Sequence, residues 1–85
     1  MVPPSIRFFG AELRRSREAA GVTQKQLADA VHYSESKVGA VERGEQVASP
    51  AFAERADGFL DTGGLFARMR GELLTAEVSP EWFRP

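Results

Sequence analysis

Between Phe8 and Thr75 the apolar residues recur at spacings of three and four and do not alternate, which is the pattern of helices that each bury one stripe. Phe9, Leu13 and Ala20, with Arg17 among them, share one face of a first helix over residues 8–20 that Gly21 ends. Thr23 with Gln26 three residues later forms a capping box, and Leu27, Ala28 and Val31 make the stripe of a second helix over residues 24–31. Ser34 caps a third helix in which Val38 and Val41 face inward, and Gly44 is placed to close it in the left-handed conformation. Ser49-Pro50 is a serine cap followed by proline at the first helical position. The fourth helix it opens carries Ala51, Phe52, Ala56, Phe59 and Leu60 on its apolar face and ends at Thr62-Gly63-Gly64. A fifth helix over residues 65–75 turns Leu65, Phe66, Met69, Leu73 and Leu74 inward. The expected fold is all-α, a compact bundle of about five helices.

The flanks read differently. Pro3-Pro4 predicts an extended N-terminal arm, and residues 1–7 are assigned to it. Residues 8–75 form the domain. Ser79-Pro80 repeats the cap-and-proline signal, and the chain stops at Pro85 before a helix could develop. Residues 76–85 therefore read as the start of a linker or helix leading to a further C-terminal domain.

Composition narrows the function classes. Eighty-five residues allow one modest core. With 42% hydrophobic and 27% charged residues the chain has the balance of an ordinary globular protein, and no apolar run approaches the ~20 residues of a membrane span. The start, MVPPSIRFFG, lacks the basic and continuous apolar regions of a secretory signal. There is no cysteine for a disulfide or thiolate metal site, which fits a cytoplasmic protein. A Gly-rich phosphate loop, a His/Cys pair and a metal cluster are all missing, so neither an enzyme nor a cofactor is expected. His32, the single histidine, reads as a turn residue. The net charge of −1 divides unevenly: residues 1–44 hold seven Lys and Arg against five Asp and Glu, and residues 45–85 hold four against seven. The basic excess lies in the half that carries the second and third helices.

Two short capped helices joined by a tight turn over residues 23–44 are the outline of a helix-turn-helix. Gly21-Val22-Thr23-Gln24, then Leu27-Ala28, then Ser34 with Val38, and finally Val41-Glu42-Arg43-Gly44 resemble the Cro/repressor-type (Xre-like) helix-turn-helix regulators of bacteria and phage. The resemblance spans residues 8–85, is strongest over 13–44, and extends to the N-terminal domain of actinobacterial multi-domain regulators. His32 stands where that family usually has glycine, in a turn that wants a positive φ.

The resemblance implies a lambda-repressor-like domain that binds double-stranded DNA, cytoplasmic and associated with the nucleoid. The third helix would enter the major groove. Glu35, Ser36 and Ala40 match the base-reading places, with Lys37 beside them and Ser34 at the head of the helix. Glu35 can accept from a cytosine amino group, Ser36 can bond either way, Ala40 can meet a thymine methyl, and Lys37 can reach guanine or phosphate. Gln24, with the backbone N–H groups beside it, matches a phosphate contact at a helix start. Lys25, Arg43, Arg14 and Arg15 are further phosphate candidates. Arg17 and Glu42, both oddly placed on inward stripes, match a structural ion pair between the first and third helices. Homodimerisation of the full-length protein on a palindromic operator is also implied. The alternative is an antitoxin-like or protein-interaction module of the same fold, acting through a small partner protein.

Overall fold

Proline at a first helical position loses no hydrogen bond, because that N–H has no partner inside the helix. In the computed structural model, which describes residues 4–74, Pro4 fills that role. Helix α1 (Pro4–Ala19) therefore begins four residues before Phe8, and Ser5 and Ile6 are buried. The arm expected over residues 1–7 loses Pro4 to Arg7, and its first three positions lie outside the described residues. Ile6, Phe9, Gly10 and Leu13 make the buried stripe at intervals of three, four and seven. Ala20, expected on that stripe, lies past the helix end and is exposed, since Gly21 with φ 70° turns the chain there.

Helix α2 (Gln24–Val31) has the full capping box: Thr23 Oγ1 accepts from Gln26 N, and Thr23 N donates to Gln26 Oε1. His32 closes it with φ 63°, and Tyr33 N–H reaches back to the Ala28 carbonyl. Helix α3 (Glu35–Glu42) is capped by Ser34, whose Oγ accepts from Lys37 N at 3.1 Å. It ends in a Schellman motif, with Glu45 N bonded to Ala40 O, Gly44 N bonded to Val41 O, and Gly44 at φ 76°.

Helix α4 (Pro50–Leu60) opens on Ser49 with Pro50 at its start. Its buried residues are Phe52, Ala53, Ala56 and Asp57. Ala51 and Phe59, expected inward, are exposed, because the stripe over 52, 53, 56 and 57 leaves them on its flanks. Helix α5 (Leu65–Met69) is shorter than expected and continues as one π-helical turn over Arg70–Leu74. Apolar spacing alone does not distinguish that widened turn from an α-turn. The expected features at Thr75, Ser79-Pro80 and residues 76–85 lie outside the described residues.

The core gathers Leu13, Leu27, Val31, Val38, Val41, Phe52 and Phe66, all without exposed surface. Phe9 meets Phe66 edge to face at 5.4 Å, and Tyr33 meets Phe52 likewise at 5.1 Å. Helices α1 and α4 thus pack behind α2 and α3, leaving the far side of the α2–α3 pair to solvent. The fold is an all-α bundle with the helix-turn-helix at its centre. No described helix is long and apolar enough to cross a membrane.

Candidate nucleic-acid interface

Helix α3 is positioned from behind by α1. Gly10 lets the two backbones meet: a Cβ there would lie 2.2 Å from the Val41 carbonyl oxygen. Two turns further along α1, Arg17 grips Glu42 with two hydrogen bonds, Nε to Oε2 at 2.7 Å and Nη2 to Oε1 at 3.1 Å. Its Nη1 donates to the Val22 carbonyl at 2.8 Å. The hydrogen bond to Glu42, ahead of the burial that opposes it, raises the Arg17 pKa. Glu42 Oε1 also accepts from Gln24 Nε2 at 3.0 Å. This one buried carboxylate therefore joins α1, the start of α2 and the end of α3.

The C-terminal half of α3, from Val38 through Glu42, is buried. Ala40, expected to face a base, is 8% exposed and belongs to the buried set. Glu35 and Ser36 in the first turn and Arg43 at the end are exposed. Together with Gln24 and Gly39 they line an open concavity of about 310 Å³. Gly39 is its floor and is covered by its neighbours: a Cβ there would stand 3.0 Å from Arg43 Nη1 and 3.8 Å from Gln24 Nε2. Ser34 is occupied by its capping bond. Lys37 is half-buried: its Nζ donates to Gln46 Oε1 and lies 5.7 Å from the centre of the Tyr33 ring.

A family profile described as a helix-turn-helix domain matches residues 9–69. The chain belongs to that family. Two crystal structures of the clp gene regulator ClgR from Corynebacterium glutamicum are similar to it. One is 25% identical with a TM-score of 0.69, covering 84% of this chain and 92% of that one. The other is 26% identical with a TM-score of 0.67, covering 100% and 99%. No curated protein matches.

Four exposed cations around this helix-turn-helix have acidic partners. Arg43 pairs with Glu45 at 3.1 Å, and the hydrogen bond, then the charge, holds the Glu45 carboxyl below its ordinary range. Lys25 lies 3.7 Å from Asp29, Arg14 pairs with Glu18 at 3.2 Å, and Arg15 pairs with Glu12. Exposed pairs of this kind contribute roughly 0–1 kcal/mol. They exchange readily for another anion. Arg7 is a cation that the arm assignment missed; it is exposed on α1, with its alkyl stem against Gly44. Its place on a helix was signalled only by Pro4 and the Ile6–Phe9 spacing. Among the described residues no group of three His, Cys, Asp or Glu could hold a metal.

Proposed function

We propose that this helix-turn-helix domain binds double-stranded DNA sequence-specifically, in the cytoplasm, as a transcriptional regulator. The first turn of α3 enters the major groove. The observation that carries the reading is the open concavity where the start of α2 meets the outward face of α3, on the side that the core does not use. Glu35 and Ser36 meet base edges there, Glu35 as an acceptor for a cytosine amino group. The N–H groups of Gln24 and Lys25, which have no partner within α2, meet a phosphate at the positive end of that helix. Lys25 and Arg43 exchange their surface carboxylates for phosphates. The likeness to a regulator of clp genes supports a role in gene control.

The test is a binding titration of duplex DNA from upstream of the protein's own gene at several salt concentrations. Affinity should fall with salt. Lys25→Ala and Arg43→Ala should each lower the slope of log affinity against log salt by about one. Duplex binding that is absent, or indifferent to salt, would overturn the proposal.

A further inference from the structure

The orientation of the Gln24 side chain is set by chemistry. Glu42 is an acceptor held by Arg17, with Oε2 taking Nε at 2.7 Å and Oε1 taking Nη2 at 3.1 Å. A carboxylate in an ion pair offers no proton, so only the NH₂ end of the Gln24 amide can meet it. Gln24 Nε2 does so at 3.0 Å. The Glu42 side chain is 2% exposed and its partner's 11%, so water competes little for these bonds. The carbonyl end of the amide and its second hydrogen are left over. Among the described residues Gln24 Oε1 accepts no hydrogen bond, and Gln24 lines the concavity beside Glu35, Ser36, Gly39 and Arg43.

A phosphate oxygen is an acceptor and has nothing to give that carbonyl. In the major groove the donors are the exocyclic amino groups of adenine (N6) and cytosine (N4). We infer that Gln24 is a specificity-determining residue whose Oε1, locked outward by Glu42, accepts from an exocyclic amino group of a base in the major groove. The phosphate contact at this helix end then falls to the backbone N–H groups. Gly39 lies beneath both side chains: a Cβ there would stand 3.0 Å from Arg43 Nη1 and 3.8 Å from Gln24 Nε2, so without one the two polar groups can lie side by side. Arg43 Nη1, lying over Gly39, supplies a donor next to the acceptor. Adenine offers the matching pair in N6 and N7, as a C·G pair does in cytosine N4 and guanine O6.

The inference rests on the DNA-binding reading, and its test separates the two. Wild-type protein and Gln24→Leu, checked for equal folding by thermal melting, are titrated with a duplex and its modified forms. In these, one base at a time is replaced by its analogue without the amino group, purine for adenine or 2-pyrimidinone for cytosine. Removing the amino group at one position should weaken wild-type binding about five- to tenfold and leave Gln24→Leu unaffected there. The analogue that acts tells adenine from cytosine. If Gln24→Leu instead weakens every duplex alike and lowers the salt slope, Gln24 is a phosphate ligand and the inference fails. It fails as well if the losses from amine removal and from Gln24→Leu add at every position. If Gln24→Leu does not fold, the wild-type series decides alone, and insensitivity to every amine removal overturns the inference. Wild-type protein that binds no duplex overturns the DNA-binding reading itself, and this inference with it.

Discussion

Gly10 of α1 lies directly on the backbone of α3: a Cβ on it would stand 2.2 Å from the Val41 carbonyl oxygen and 2.7 Å from that of Glu42. The obstacle is main chain, which cannot swing aside as a side chain does. Gly10→Ala should therefore destabilise the domain by about 2–3 kcal/mol, despite the ~1 kcal/mol that alanine adds in helix propensity. Gly58 in α4 has no atom within 4 Å of its would-be Cβ. Gly58→Ala should stabilise by up to ~1 kcal/mol, raising the melting temperature by a few degrees. Thermal melts of the two variants moving in the same direction would refute this account of α1 on α3.

The Arg17–Glu42 pair supports a double-mutant cycle. Arg17→Met leaves a buried carboxylate without its cation, at a cost of roughly 3–5 kcal/mol. Adding Glu42→Leu should restore much of that loss. It should not restore all of it, because the Val22 carbonyl also loses its donor, worth about 1–3 kcal/mol if left unpaired. Additive losses in chemical denaturation would mean that the two side chains are not coupled.

Asp57 is a polar residue on a buried stripe, and it acts as a cap supplied from another helix. Its Oδ1 accepts from Phe66 N at 2.8 Å and from the Thr62 hydroxyl, and Oδ2 accepts from Ala67 N at 2.9 Å. Gly64, at the head of α5, offers no side chain for that purpose. Asp57→Asn puts an NH₂ against N–H donors and should cost about 1–3 kcal/mol. Amide exchange at Phe66 and Ala67 should accelerate more than at Leu27 or Val31. Uniform acceleration across all four amides would point to global destabilisation and against a local cap.

Among the described residues the cations around the concavity are few, and Lys25 and Arg43 each begin in a surface ion pair. Counterion release from so few contacts yields modest affinity at physiological salt. One domain should bind a half-site weakly. Two copies joined by a flexible linker should bind a palindrome with half-sites about 10 base pairs apart roughly 10²–10⁴-fold more tightly. Equal affinity of the single and linked proteins for that palindrome, in a fluorescence titration, would exclude paired heads.

Where the helices start and stop was written locally. Thr23 with Gln26, Ser34, Ser49-Pro50, Gly21 and Gly44 each act within one turn of chain, on N–H and carbonyl groups that any helix leaves unpaired. His32 shows the same locality, since the left-handed turn it occupies had to lie between two adjacent caps whichever residue stood there. The apolar spacing also placed Leu13, Leu27, Val31, Val38, Val41, Phe52 and Phe66 in the core, because a helix has only one face to bury. Contacts between distant segments were another matter. Ala40, which the helix spacing left on the outward face, is only 8% exposed in the folded domain. Asp57 became interior because the head of α5, nine residues on, needed acceptors, and no stripe of apolar residues announces that. Gln24 donates an amide hydrogen to Glu42, twenty-five residues along the chain from the arginine that holds that carboxylate. Hydrophobic pattern and caps are properties of single helices, whereas the polar geometry of the concavity depends on how closely three helices approach one another, and only the tertiary fold decides that.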